Sequence, residues 1–309
     1  MRKQIDTELS GAQIAIVSVN GRAAYRAFEK LYPHQSKRVV FIPCRLSQLG
    51  ELLAKCAANG VFAVVLDAKP RFVPVAPTAA VAIAPSVSLR LPYLHKLLQQ
   101  NSLTSFSALT FQTYLTPAHD LDELRNRYFE TLRLGQFREN PVAVEPLLRD
   151  ADYVWFDLNA VRASDAPQSN EPNGLYAEEA CRLAYYIGVS NQTKALFLFG
   201  YRPCMCACSR TAKFIGQFLW HLSEASAVKV NEKIVEDNLS EYKEIIVDMG
   251  VSGQEMYFIQ SLATQRWWMK VCGLKGVKQW IPCLSADYET ACRGEVPLRW
   301  LWYYQKNNY

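Results

Sequence analysis

Between residues 12 and 223, short apolar runs alternate with longer segments of helical period, and this restricts the fold more than any other feature of the chain. The runs at 13–19 (QIAIVSV), 38–42 (RVVFI), 61–67 (VFAVVLD), 79–84 (AAVAIA), 107–112 (SALTFQ), 152–158 (DYVWFDL) and 195–200 (ALFLFG) read as strands. They are apolar throughout rather than alternating with polar residues, as strands covered on both faces are. Helical segments are predicted between them at 21–31, 47–58, 86–100, 121–133, 176–188 and 209–222. Start signals stand at two of these: Asp120 with Glu123 three residues on, and Ser209 before RTAKF. Strand followed by helix, repeated, predicts a three-layer α/β/α sandwich around a mainly parallel sheet.

The texture changes after residue 230. Residues 241–248 (EYKEIIVD) and 255–260 (EMYFIQ) flank the turn sequence MGVSGQ and predict an antiparallel hairpin. An aromatic-rich tail follows, with RWWMK, QWIPC and RWLWYYQK. Such a tail can pack across the core, since Trp and Tyr dominate burial. Equally, Trp267, Trp268, Arg299, Trp300 and Trp302 are the residue types that anchor a protein partner. The polar stretch 223–240 reads as a connection inside one domain spanning 1–309, with an α/β core over 1–230 and a hairpin and aromatic extension over 231–309.

Composition closes off several function classes. Half of the 309 residues are hydrophobic and 20% are charged, the profile of a packed chain. The 34 basic and 29 acidic residues form no like-charge run beyond pairs such as Lys37-Arg38, so no nucleic-acid partner is expected. Apolar runs fall short of the roughly 20 residues that cross a bilayer, so no membrane insertion is expected. The nine cysteines are odd in number and unevenly spaced, with no apolar leader ahead of them, which reads as a reducing, cytoplasmic setting.

In an open parallel sheet, ligands bind outside the carboxyl ends of the strands. That places Asn20, Asp67, Pro85-Ser86, Thr113, Asp157 to Arg162 and Tyr201-Arg202 at the expected site. A binuclear metal hydrolase needs several carboxylates and imidazoles there, because hard divalent cations take oxygen and imidazole nitrogen. The chain has four histidines, His34, His95, His119 and His221, and only His119 comes near a strand end, a few residues too far along. It reads as the solvent-facing start of a helix. Cys204, Cys206 and Cys208 alternate, whereas zinc sites space their cysteines by two to four residues and need a fourth ligand. A metal-thiolate site and ordinary packing both remain open for them. Cys44, Cys56, Cys181, Cys272, Cys283 and Cys292 read as core.

Residues 152–179, DYVWFDLNAVRASDAPQSNEPNGLYAEE, resemble the region of arginase, agmatinase and formimidoylglutamase in which a strand ends in Asp-x-Asp-x-x-Asp-Pro and a Pro-Gly-Gly-Leu segment opens a helix. The matching positions are Asp157, Asn159, Arg162, Asp165-Ala166-Pro167, Asn173-Gly174-Leu175 and Glu178. The lead-in over 133–152, RTAKF at 210–214 and the ending over 287–306 are similar to the Bacteroidota arginase-like proteins labelled formimidoylglutamase. The resemblance to this ureohydrolase superfamily covers roughly residues 75–309 and implies its arginase-like fold.

Position by position, the resemblance implies lost metal ligands. Of the Asp-x-Asp-x-x-Asp set only Asp157 remains; Asn159 supplies no carboxylate and Arg162 is a cation. The Gly-Gly-Asp-His-Ser motif should fall at IAPSVS, where Ser86 and Ser88 stand, and the Asp-Ala-His-x-Asp motif at TYLTP. Tyr201-Arg202 replaces a substrate-side acid. The expectation is therefore a vestigial pocket of Ser86, Ser88, Asp157, Asn159, Arg162, Asp165, Tyr201 and Arg202, with arginine paired to Asp157 or Asp165, no catalytic or metal-ligating residue and no cofactor. The function read from this is a catalytically inactive ureohydrolase-like protein (a pseudoenzyme) that binds a protein partner. Two alternatives stand beside it: a manganese-dependent C–N hydrolase of the family's type, and a small-anion sensor using Arg162. Relatives of this kind often form trimers or hexamers, so a homo-oligomer is also in view.

Overall fold

The structure, a computed structural model, describes residues 7–18, 21–34, 38–202, 208–232, 234, 236–250, 255–272 and 278–308. It divides into two compact units, Met1–Asp122 with Glu130–Lys229 and Glu123–Phe129 with Val230–Tyr309. The change of texture at residue 230 coincides with that boundary.

The first unit is built on eight strands: β1 (Ile14–Ser18), β2 (Val39–Pro43), β3 (Phe62–Asp67), β4 (Ala79–Ile83), β5 (Ser105–Phe111), β6 (Glu130–Arg133), β7 (Tyr153–Asp157) and β8 (Ala195–Phe199). They lie in the order β2-β1-β3-β8-β7-β4-β5-β6, and every pairing is parallel. β1, β4 and β8 are buried at every residue, which is why their sequences read as unbroken apolar runs. Flanking helices in chain order are α1 (Arg22–Phe28), α2 (Leu46–Ala58), α3 (Pro92–Leu98), α4 (Ala118–Asn126), α5 (Leu134–Glu139), α6 (Glu145–Arg149), α7 (Ala177–Gly188) and α8 (Cys208–Ala227). One continuous core joins sheet and helices through residues such as Ile16, Val81, Phe156, Leu183, Leu198 and Phe218. The expected sandwich around a parallel sheet is the observed one.

Two boundaries differ from the sequence reading. The helix expected over 121–133 ends at Asn126, Tyr128 takes a positive φ of 55°, and residues 130–133 form edge strand β6 beside β5. A four-residue edge strand with one polar side is too short to show a period. The helix expected from residue 86 begins at Pro92, where proline sits in the first turn because its missing N–H costs nothing there.

The second unit carries the expected hairpin, β9 (Tyr242–Asp248) with β10 (Glu255–Ser261); turn residues 251–254 lie outside the described residues. Two further strands, β11 (Trp267–Cys272) and β12 (Lys278–Cys283), complete a four-stranded antiparallel sheet in the order β12-β11-β10-β9. RWWMK and QWIPC are thus strands rather than a tail. Pro282 hid the second of them, since proline is tolerated on an edge strand such as β12. Helices α9 (Ser285–Cys292) and α10 (Leu298–Asn308) follow. Met256, Phe258, Met269, Val271, Ile281 and Tyr303 form the core of this unit. No helix among the described residues is long and apolar enough to cross a membrane.

Candidate functional site

Asp157 ends β7, between the ends of β8 and β4. Its Oδ1 accepts from the backbone N–H of Asn159 at 2.9 Å and from Asn159 Nδ2 at 3.0 Å. Burial pushes this carboxyl up to about 6; the two Asn159 bonds pull the other way, and the charge of Glu171 adds to the rise. Asn159 Oδ1 in turn accepts from the Asn170 N–H at 3.0 Å. The oxygens of Asp157 and Asn159 that are engaged here serve the loop itself.

The loop closes on its own backbone. Val161 bridges to Leu175, with Leu175 N–H donating to Ala160 O at 2.7 Å and Arg162 N–H to Leu175 O at 3.1 Å. Gly174 permits this approach, because a Cβ there would lie 2.6 Å from Ala160 O and 2.9 Å from Arg162 N. The Arg162 guanidinium pairs with Asp165 at 2.9 Å and lies 4.2 Å from the centre of the Tyr176 ring. Asp165 Oδ2 also accepts the Ala177 N–H at 2.8 Å, satisfying a donor in the first turn of α7. Burial alone would raise the Asp165 carboxyl, but the bonds from Arg162, Ala177 and Ser164 hold it below the usual carboxylate range. Arg138 covers the other contact to Tyr176, 4.6 Å from the ring centre, and pairs with Glu179 at 3.0 Å.

Amide side chains tie the neighbouring strand ends together. Gln112, just past β5, donates its backbone N–H to Pro85 O and its Nε2 to Asn173 O, at 2.9 and 3.1 Å. Asn173 Nδ2 returns a bond to Gln112 Oε1 at 2.7 Å. Gln168 clamps the backbone of Arg202, accepting its N–H at 2.7 Å and donating to its carbonyl. Gln112, Gln168 and Asn173 were not among the pocket candidates; the signals for them were the position of Gln112 at a strand end and of Asn173 within the matched family segment.

The structure separates the eight vestigial-pocket residues. Asp157 and Asn159 form one pair. Arg162 and Asp165 line a wide concavity of about 880 Å³ with Tyr32, His34, Trp220 and His221. Tyr201 and Arg202 line a different cavity, of about 420 Å³, at the carboxyl ends of β1, β3 and β8. Ser86 and Ser88 are half-buried after β4. His119 is 65% exposed in the first turn of α4. Among the described residues, no group of three or more His, Cys, Asp or Glu is placed to hold a metal ion.

Asn20, Cys204 and Cys206, together with the side chain of Cys208, lie outside the described residues. Of the cysteines read as core, Cys56, Cys181 and Cys283 are buried and Cys44 is half-buried. Cys272 and Cys292 are exposed, because they end β11 and α9. In the second unit Trp268 is 5% and Arg299 8% exposed; Trp267 stacks on Tyr288, and Trp300 stacks on Tyr304 while donating its Nε1–H to Lys270 O at 3.0 Å. Trp302 is half-buried.

No protein-family model matches the chain, and no curated protein does. Solved structures do. A formiminoglutamase from Trypanosoma cruzi, crystallised with Mn²⁺, superposes with a TM-score of 0.62 at 16% identity over 73% of this chain and 98% of its own. An agmatine ureohydrolase of Thermoplasma volcanium gives 0.54 at 10% identity, over 70% of this chain and 90% of its own. A formimidoylglutamase from Bacillus subtilis gives 0.54 at 11% identity, over 70% of this chain and 87% of its own. At such identities the likeness establishes the fold, which is that of the arginase superfamily.

Proposed function

We propose that this chain, folded as a ureohydrolase, is a non-catalytic relative of the superfamily that works by binding rather than by metal-dependent C–N hydrolysis. The supporting observation is the donor set at the end of β7. The T. cruzi neighbour holds Mn²⁺, and a manganese pair wants converging carboxylates and imidazoles. At the corresponding strand ends this chain offers the single carboxylate of Asp157, the amides of Gln112, Asn159 and Asn173, and the guanidinium of Arg162, which repels a dication. Asp157 Oδ1 already accepts two hydrogen bonds, and Asp165 is spent on Arg162 and the start of α7. These residues do not fit a binuclear metal centre.

The test is an assay of formimino and guanidino substrates with manganese supplied. No turnover above the metal-only blank is expected. Turnover abolished by Asp157→Ala would reinstate the hydrolase reading.

A protein partner is the finer part of this reading. The second unit exposes Ile246 (58%), Tyr257 (38%) and Leu298 (59%), of which Ile246 and Tyr257 are paired across β9 and β10. Trp268 and Arg299 are buried, and Trp267 and Trp300 are partly buried against the core on Tyr288 and Tyr304, so Trp302, which has no such ring partner among the described residues, is the partner-binding candidate we favour for such a contact. Co-purification of one stable partner from the native cell, lost on Ile246→Glu and Trp302→Ala, is the expected result; recovery unaffected by either substitution removes the proposal.

A further inference from the structure

We propose that the 420 Å³ cavity at the carboxyl ends of β1, β3 and β8 binds a small doubly charged anion, a phosphate monoester or a dicarboxylate, through Arg45, Arg71 and Arg202. This names what the chain binds under the preceding reading, but at a site built from other residues than the loop after β7.

Topology puts a crevice here. β1 connects to β2 on one side and β3 connects onward to β4 on the other, so the strand order reverses between the adjacent β1 and β3. Open α/β sheets bind ligands outside the carboxyl ends at such a reversal. Val17 and Ser18 of β1 and Val65, Leu66 and Asp67 of β3 line the cavity.

The charges point to an anion. Three guanidinium groups line the cavity against one carboxylate, Asp67, whose Oδ1 is turned to the Ala68 N–H at 2.6 Å. Among the described lining residues, arginines outnumber acids by two. Three other arginines of this unit pair with acids: Arg138 with Glu179, Arg149 with Glu145 and Arg162 with Asp165. Among the described residues, the guanidinium groups of Arg45, Arg71 and Arg202 have no such partner. Arginine's planar fork suits the oxygens of phosphate and carboxylate.

The backbone adds to the same field. Arg45 and Leu46, the N-cap and first residue of the 13-residue α2, line the cavity, and the helix start has neither an acidic residue in its first turn nor a side-chain cap. That end of a helix carries partial positive charge. Gln168 holds the backbone of Arg202 at the cavity's edge. Leu46, Leu49 and Val65 give one wall an apolar surface that suits a short carbon skeleton over a bare inorganic ion.

The experiment is isothermal titration of the full chain with glycerol 2-phosphate, succinate and inorganic phosphate, against chloride at matched ionic strength. Saturable one-site binding of glycerol 2-phosphate or succinate is expected, and which of the two binds tighter assigns the ligand class. Arg71→Gln and Arg202→Gln should each weaken binding about tenfold or more, whereas the exposed Arg26→Gln should not. Asp67→Asn should tighten it, a change of opposite sign that no loss of folding can mimic. Unfolding midpoints without anion check that the variants fold. The proposal is overturned if neither organic dianion saturates, if Arg71→Gln and Arg202→Gln leave affinity unchanged, or if affinity depends on Arg162 instead. Hydrolase turnover would overturn the preceding reading and leave this one standing; absent anion binding would do the reverse.

Discussion

Two parts of the same sheet edge treat charge in opposite ways. After β7, the groups expected to form a pocket are paired within their own loop or the next: Asp157 with Asn159, Asn159 with Asn170, Arg162 with Asp165 and Tyr176. Beyond the adjacent β8, Arg45, Arg71 and Arg202 line one cavity with a single acid, Asp67, among the described lining residues. Buried charge is tolerated only when paired, whereas exposed charge may stay uncommitted at little cost. The pairings of the first region hold its loop closed, and the second region is where the proposed anion would bind.

Mutations can break that contrast, and the largest effect belongs to the joint in the first region. Gly174→Ala places a methyl group 2.6 Å from a backbone carbonyl. Chemical denaturation should show a loss of about 3 kcal/mol; a loss near zero would mean that the loop is not held closed.

Next comes Asp157. Its folded carboxyl titrates at about 6, above its unfolded value, so the folded state holds the proton more tightly. The stability this group contributes is therefore full at acid pH and is lost as pH climbs through about 4 to 6. Asp157→Asn keeps an acceptor for Asn159 and removes the buried charge. It should stabilise the protein at neutral pH by on the order of 2 kcal/mol, with the gain vanishing at acid pH. Parallel stability–pH curves for the two proteins would contradict this.

Asp165→Ala strips the partner from Arg162 and the acceptor from the Ala177 N–H, and denaturation should register about 1–2 kcal/mol. The smallest effect sharpens the comparison from the other side. Arg45→Gln, Arg71→Gln and Arg202→Gln should each shift stability by no more than about 0.5 kcal/mol. A large loss would show that these arginines are structural after all.

How much of this could be read in the sequence follows the physics of each feature. The buried parallel strands were legible because both faces are covered and their runs are purely apolar. β6, β11 and β12 were not, being short, at an edge or interrupted by Pro282. The loop after β7 was legible through the resemblance of residues 152–179 to the family segment, and the Arg162–Asp165 pair is three residues apart. The amide ties through Gln112, Gln168 and Asn173 were invisible, since they join segments distant in sequence. Arg45 and Arg71 lie where no motif is found, and only the β1–β3 crevice brings them to Arg202.

The central proposal is that the end of β7 holds an internally paired polar loop in place of a metal cradle. Elemental analysis of the chain purified with manganese present tests it most directly. The account predicts manganese well below one ion per chain, with the same residue in Asp157→Ala; two tightly held ions per chain, lost in Asp157→Ala, would contradict it.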